Sequence, residues 1–341
     1  MEPIVLWQQK WGLSFNIPWY LFLGSLAGGT LTIGGLADLV AGRRERFRHL
    51  ARAAAYVTIP AIVIGGLSLS FHLGKPERGF AFPVFFTNYQ SWLTIGGWVV
   101  GAFAPLSVAY GAAWYFAFPR STRLTLAAFG VPLGLVMSLY TGFLLSAAWV
   151  IPGDRWYVPL WDWRYLPVLF ALSGLSTGFA ACGLALLVSG SLRRFFAPPG
   201  SAETFESAAE VTSLADGVSL LAEASWVYFF LASLAVGSLG QQAAFRLLTQ
   251  GQLAPWFWWG FVATGLAAPL AISVVHLVSD RIFHTPAAWI LYAKFALVLA
   301  GGLLLRYTVV WGGDLKTPLI FPPSMWPVPG VGVPPVSGLG G

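Results

Sequence analysis

Charged side chains are scarce in this chain. Lys, Arg, Asp and Glu make up 9% of its 341 residues, against about 25% in soluble domains, while hydrophobic residues make up 57%. A soluble globule with so few charges would expose a largely apolar surface and aggregate. This composition excludes a soluble protein, a disordered chain and a nucleic-acid binder.

Cysteine and histidine are also scarce. The single cysteine, Cys182, excludes an internal disulfide, a CxxC redox pair and a four-thiolate iron–sulfur site. The four histidines are too few and too scattered for a haem ligation scheme. We therefore expect no metal site and no permanent redox cofactor in this polypeptide.

The sequence instead contains long apolar runs. A membrane-spanning helix needs about 20 apolar residues, whereas a barrel strand needs about ten. The apolar runs of this chain have the helical length, so they predict an all-α integral membrane protein with eight transmembrane helices. The predicted spans are residues 18–40, 53–73, 91–117, 124–150, 165–190, 211–237, 255–278 and 286–311.

A faint internal repeat suggests how the spans are grouped. Leu23–Gly29 resembles Leu172–Gly178, and small residues at this spacing let helix backbones approach closely. We expect two four-helix bundles, an N-terminal one over residues 1–150 and a C-terminal one over 151–311. The Pro- and Gly-rich segment 312–341 is predicted to be an extended tail with little secondary structure.

The basic residues of the loops predict the orientation, because cytoplasmic loops carry an excess of Lys and Arg. An even number of spans puts both termini on one side, and that side collects seven basic residues against ten on the other. The larger group is Arg43, Arg44, Arg46, Arg48, Arg52, Arg120, Arg123, Arg193, Arg194 and Arg281. We therefore expect both termini to be periplasmic.

Four sequence motifs together carry a family resemblance. Phe71–Arg78 reads FHLGKPER and ends the second span, where it places a histidine beside a Lys/Glu/Arg cluster. The other motifs are Tyr20–Gly24, Tyr140–Ser146 and Leu166–Phe170. In combination they resemble the NrfD family, the membrane subunits of polysulfide reductase and related respiratory complexes. The resemblance covers nearly the whole chain, from about residue 16 to residue 306.

The resemblance implies a function in anaerobic respiration. Members of this family are quinone-binding subunits of the prokaryotic inner membrane, and they hold no haem. The expected activity is electron exchange between menaquinone or ubiquinone and an iron–sulfur partner, which can be coupled to proton translocation. The expected partners are a ferredoxin-like subunit carrying iron–sulfur clusters and a molybdopterin or other catalytic subunit. The terminal substrate stays open, because that chemistry belongs to the catalytic subunit.

The resemblance also implies a quinone site. The family's asparagine and tyrosine fall on Asn16 and Tyr140, but its histidine falls on Trp19, so His72 is the substitute candidate. Lys75 and Arg78 are expected to shape the quinone mouth and to hold the loop that faces the iron–sulfur partner. The alternatives are an ordinary aromatic belt for the tryptophan, a structural histidine, and an interfacial ion-pair cluster.

A second group of candidate residues lies within the sixth span. Thr212, Asp216, Ser219 and Glu223 follow one another at intervals of 4, 3 and 4 residues, which places them on one helical stripe. Ionisable groups in a membrane are costly and often functional. The functional interpretation is a proton path through Asp216 and Glu223. The alternative is a set of neutralising pairs, such as Glu223 with Lys294.

Two other classes of function are compatible with these features. A secondary transporter or ion channel would also use buried charges and an internal repeat. A passive membrane anchor for an extrinsic enzyme would explain the loops and the tail. The FHLGKPER motif argues against the transporter, whereas Tyr140 and the buried acidic residues argue against the anchor.

Overall fold

The computed structural model describes residues 16–41, 44–72, 87–89, 91–146, 150–151, 155–156, 158–196, 203–279 and 288–314. Lys75, Arg78 and nearly all of the predicted tail lie outside these ranges. So does the side chain of His72, although the backbone of this residue ends a helix.

The described residues are almost entirely helical. Eight helical segments are long and apolar enough to cross a membrane, which confirms the predicted all-α integral membrane class. The helices are α1 (Asn16–Ala41), α2 (Glu45–His72), α3 (Trp92–Tyr115), α4 (Arg120–Ser146), α5 (Leu166–Phe196), α6 (Glu203–Val236), α7 (Leu239–Thr249), α8 (Ala268–Ser279) and α9 (Ala288–Asp314). A π-helix, Trp256–Ala267, runs directly into α8, and the two together form the seventh span.

Four short elements lie between the described spans. Strands β1 (Val150–Ile151) and β2 (Arg155–Trp156) pair antiparallel after α4, and a 3-10 turn at Pro159–Trp161 follows. Helix α7 is too short to cross a membrane. It begins at a capping box in which Ser238 and Gln241 satisfy each other's backbone N–H groups.

Helix α1 lies at the centre of the molecule. It is almost wholly buried, and it packs against α2, α4, α5 and α9. Because these neighbours come from both halves of the chain, α1 joins the N-terminal and C-terminal helices.

The two repeated segments meet at this centre. The backbone of Gly29 in α1 lies against Gly174 in α5, and Gly174 in turn lies against the carbonyl of Ser25. A Cβ atom at either glycine would collide with the facing backbone. The small residues are therefore what allows α1 and α5 to approach this closely.

Candidate functional site

Tyr140 is buried where three helices meet. Its side chain is 3% exposed and belongs to the last two turns of α4. The hydroxyl lies against Gly96 of α3, so closely that a Cβ atom at this glycine would collide with it. The fully buried phenol of Tyr20, on α1, lies beside it without an aligned hydrogen bond. The two phenols are thus brought together between α1, α3 and α4.

Other residues predicted for the quinone site lie at the same end of the helices. Asn16 is the first residue of α1, and the half-buried Trp19 lies one turn further on. The indole of Trp19 contacts Phe22 edge-on and lies beside the phenol of Tyr307 on α9. His72 ends α2 at this end too. The structure therefore clusters the ends of α1, α2 and α4 that carry these residues.

An aromatic stack joins α3 to α4 next to Tyr140. The rings of Trp92 and Phe143 are parallel, with centroids 4.5 Å apart and an interplanar angle of 3°. Trp92 begins α3, and Phe143 lies three residues after Tyr140. The stack fixes the start of α3 against the end of α4, which keeps Gly96 in register with the Tyr140 hydroxyl.

Asp216 forms a buried ion pair with Lys294. The Lys294 Nζ atom of α9 lies 3.1 Å from Asp216 Oδ2 of α6, and both side chains are fully buried. The ammonium also donates to the carbonyl of Ser213, at 2.6 Å, and to its hydroxyl, at 2.9 Å. The neutralising-pair interpretation matched Lys294 with Glu223. The structure places this lysine two helical turns away, at the level of Asp216.

Glu223 has different neighbours. Its Oε2 atom accepts a hydrogen bond of 2.8 Å from the hydroxyl of Ser176 on α5, and the side chain is 1% exposed. The hydroxyl of Ser173 and the guanidinium of Arg306 on α9 are the other groups that favour its charged form. Among the described residues, Oε1 has no hydrogen-bond partner. One carboxylate oxygen is therefore available for a further interaction.

Arg306 connects this glutamate to the central helix. The guanidinium donates from Nη1 to the hydroxyl of Ser173 and from Nη2 to the hydroxyl of Ser25, at 2.6 Å for the latter. It also stacks over the ring of Phe170, 4.7 Å from the centroid. The side chain is fully buried. Arg306 thus links α9, α5 and α1 at the level where the two repeated segments meet.

Ser219 lies between the two acidic residues on α6. Asp216 and Glu223 are seven residues apart, about 10 Å of helical rise. The Ser219 hydroxyl has no hydrogen-bond partner among the residues that the structure describes. The stripe predicted from the sequence therefore exists, and all four of its polar side chains are buried.

A third charged cluster lies at the opposite end of α1. Asp38 Oδ2 lies 3.5 Å from the Arg123 Nε atom and accepts a hydrogen bond of 3.2 Å from the Tyr110 hydroxyl. The Arg123 guanidinium covers the ring of Trp114 at 4.0 Å. These contacts join α1, α3 and α4. They give Asp38 a structural role in the packing of these three helices.

Two features of the site were not found from the sequence. Gly96 belongs to no recognised motif, and only the packing of α3 against α4 shows that the Tyr140 hydroxyl lies against it. Ser25 and Ser173 were noticed only as small residues of the repeat, although they are the hydrogen-bond partners of Arg306. A serine within each repeated segment was the available signal.

Comparison with known proteins identifies relatives across most of the sequence. A family model described as "Polysulphide reductase, NrfD" matches residues 7–318. The C subunit of polysulfide reductase from Wolinella succinogenes is 26% identical over 86% of this protein and 92% of its own length. Protein NrfD of Escherichia coli is 26% identical over 87% of this protein and 93% of its own length. An NrfD homologue of Haemophilus influenzae is 29% identical over 54% of this protein and 50% of its own length.

Proposed function

Because the chain belongs to the NrfD family of polysulphide reductase membrane subunits, we propose that it exchanges electrons between a membrane quinone and an iron–sulfur partner. Menaquinone or ubiquinone is the bound substrate. The observation that carries the proposal is the pair of phenols, Tyr20 and Tyr140, buried together at one end of α1 and α4. One relative is named as a chain of polysulfide reductase, and the description of the family model names the same reductase, which fits a multi-pass membrane subunit of an oxidoreductase complex.

The phenol pair suits the chemistry of a quinone. Reduction of a quinone to a quinol takes two electrons and two protons, so each carbonyl oxygen must receive a proton. Buried hydroxyl groups orient such carbonyls, because a donor held in an apolar site is worth more than one in water. Tyr140 is proposed to donate to one carbonyl. Asn16 and Trp19 line the mouth through which the ring and its apolar tail enter.

His72, Lys75 and Arg78 complete the proposed site. The helix end at His72 lies at the same end of the bundle as Asn16, and the FHLGKPER motif continues from it. A histidine there can act as the second partner of the quinone and as a proton donor. Lys75 and Arg78 are proposed to hold the loop against the iron–sulfur subunit, because charged residues favour polar docking.

Protons are proposed to reach this region through Asp216 and Glu223. Glu223 has one carboxylate oxygen without a hydrogen-bond partner among the described residues, and Ser219 provides a hydroxyl between the two acids. Beyond Glu223, Arg306 donates to Ser173 on α5 with one terminal nitrogen and to Ser25 on α1 with the other. This series of buried polar groups runs from α6 to the helix that carries Tyr20.

A structural role is the competing interpretation for Asp216. Its ion pair with Lys294 neutralises both charges and joins α6 to α9, which a passive anchor would also need. Glu223 distinguishes the two interpretations, because it takes no part in the Asp216–Lys294 ion pair. A proton path needs the exchangeable carboxyl proton of Glu223, whereas that pair does not.

The proposed arrangement in the cell follows from these assignments. The protein lies in a prokaryotic inner membrane with both termini periplasmic. A ferredoxin-like subunit with iron–sulfur clusters docks beside the quinone site, and a molybdopterin or other catalytic subunit binds to that partner. The N-terminal and C-terminal four-helix groups, residues 1–150 and 151–311, are proposed to share α1 as their common contact.

Purification in mild detergent tests the function as a whole. We expect an iron–sulfur protein and bound quinone to copurify with this protein. Partners without quinone would indicate a passive anchor. A preparation that carries neither would indicate a transporter or a channel, and either outcome would overturn the proposal.

A further inference from the structure

A cavity opens between three helices at the end of the bundle remote from Asn16. It has a volume of about 200 Å³ and lies between the first turns of α2 and α6 and the last turns of α5. Its lining residues are His49, Arg52, Ala53, Tyr56, Leu186, Ser189 and Phe205. None of the residues proposed for quinone binding or for proton transfer takes part in it.

One wall of the cavity is rich in hydrogen-bond donors. The Arg52 guanidinium donates from Nε to the Tyr56 hydroxyl, at 3.4 Å, and lies 5.6 Å from the centre of that ring. Arg52 lines the cavity, and no residue that the structure describes accepts a hydrogen bond from its terminal N–H groups. Ser189 adds a hydroxyl, and none of the described lining residues is acidic. A fork of guanidinium donors beside a hydroxyl suits the oxygens of a phosphate group.

His49 is held in place on the same wall. Its imidazole packs against the ring of Phe205, with centroids 4.2 Å apart, and its Nε2 atom lies 3.7 Å from Glu45 on the exposed side. The aromatic contact fixes α2 against α6. The wall is therefore prearranged, which lowers the entropy cost of binding an anion.

The surface that continues from the cavity is apolar. Along α2, the exposed stripe begins with Arg52 and continues through Pro60, Val63 and Leu67. On α5, Val188 and Leu192 flank the cavity-lining Ser189 and are 44% and 54% exposed. An exposed apolar stripe on a membrane-spanning helix faces lipid chains. The cationic cavity thus lies where a headgroup would be if the acyl chains followed these stripes.

We propose that this cavity binds the phosphate of an anionic phospholipid, with Arg52 and Ser189 on its oxygens and the acyl chains along the exposed stripes of α2 and α5. Arg44, immediately before α2, and Arg46 and Arg48 in its first turn also lie exposed. They add a general attraction for an anionic membrane surface, whereas Arg52 acts at one defined site.

Native mass spectrometry of the purified complex tests the proposal. After delipidation in detergent, the complex is titrated with phosphatidylglycerol or with phosphatidylcholine. We expect tighter binding of phosphatidylglycerol than of phosphatidylcholine, because the choline cation offsets the charge of the phosphate. Binding of phosphatidylglycerol should be about fivefold weaker in Arg52→Gln, the worth of one basic residue beside an anionic lipid. Ser189→Phe fills the cavity while retaining every arginine, and it should remove the same lipid.

Two variants control for general effects. Arg46→Gln removes an exposed charge from the same helix, and Val188→Phe enlarges an exposed neighbour of Ser189 outside the cavity lining. Both should bind phosphatidylglycerol more tightly than Arg52→Gln and Ser189→Phe do, because neither Arg46 nor Val188 lines the cavity. Equal binding by the wild type, Arg52→Gln and Ser189→Phe would overturn the proposal.

Inorganic phosphate separates a lipid from a free anion. Added to the delipidated complex, it should bind far more weakly than phosphatidylglycerol, because it gains nothing from the apolar stripes. Binding of inorganic phosphate as tight as that of phosphatidylglycerol would assign the cavity to a soluble anion and overturn the lipid assignment.

Discussion

Lys294 and Asp216 form a fully buried ion pair, with 3.1 Å between Nζ and Oδ2, that joins α9 to α6 inside the membrane. The ammonium is also hydrogen bonded to Ser213, so its charge is satisfied from two directions. Removal of one partner from such a pair leaves a lone charge in an apolar interior. That is far more costly than removal of both partners.

This relationship predicts a specific pattern of stabilities. Lys294→Met alone should destabilise the complex by about 3–5 kcal/mol, whereas Asp216→Asn combined with Lys294→Met should recover most of the loss. The readout is the thermal midpoint of the detergent-solubilised complex. Ser225→Ala, on an exposed part of α6, is the matched control and should change nothing. If the double variant is no more stable than Lys294→Met, the two residues do not act as a pair.

The contact between Gly96 and the Tyr140 hydroxyl predicts a second effect. Gly96→Ala inserts a methyl group where the phenol lies and should force the phenol away, at a cost of about 1–3 kcal/mol. Quinol turnover should fall together with thermal stability. Gly66→Ala is the control, because a Cβ atom there would meet nothing within 4 Å. Equal turnover in the two variants would show that the phenol position does not matter.

The segment beyond α9 is proposed to bind the extrinsic partner. A Pro- and Gly-rich tail without a helical pattern gains order only through a binding surface. Deletion of residues 318–341 should therefore reduce the amount of iron–sulfur subunit retained in detergent, with the membrane subunit itself expressed at the normal level. The yield of the intact complex on size-exclusion chromatography measures this. An unchanged yield would show that the tail does not take part in docking.

Glu223 is the test of the proton path. Glu223→Gln keeps the shape of the side chain and can still accept the hydrogen bond from Ser176, but it removes the exchangeable carboxyl proton. In proteoliposomes, quinone-coupled proton uptake should fall and its pH profile should change, with the complex still assembled. If both match the wild type, Glu223 has a structural role only.

The sequence predicted the membrane class and the number of spans because apolar length alone determines them. Helix ends were less accurate. The fourth span was predicted at residues 124–150, whereas α4 is Arg120–Ser146, since a helix can begin among polar residues outside the apolar run. The same holds for the Arg-rich start of α2, at Glu45.

Local patterns also left helix α7 and the π-helical geometry within the predicted seventh span unidentified. Helix α7 was not predicted, although Ser238 and Gln241 are three residues apart as a capping box requires. The π-helix at Trp256–Ala267 could not be predicted, because its wider hydrogen-bond pattern has no distinct apolar period. It ends two residues before Pro269, which cannot donate a backbone hydrogen bond.

The polar stripe of α6 could be predicted, but its partners could not. Spacing along one helix shows that Asp216 and Glu223 share a face. It does not show the level at which another helix places its cation. Lys294 could be matched with either acid from the sequence, and only the packing of α9 against α6 places it at Asp216. The same packing places Arg306 where its charge acts on Glu223.

Quinol kinetics of Tyr140→Phe test the central claim most directly. The substitution removes one hydroxyl from a buried site and leaves the ring in place, and Tyr228→Phe, at an exposed tyrosine of α6, is the control. We predict that Tyr140→Phe slows quinol turnover by about fivefold or more, because an unpaired buried carbonyl costs about 1–3 kcal/mol, while Tyr228→Phe turns over normally. Wild-type turnover by a fully assembled Tyr140→Phe complex would contradict the quinone site described above.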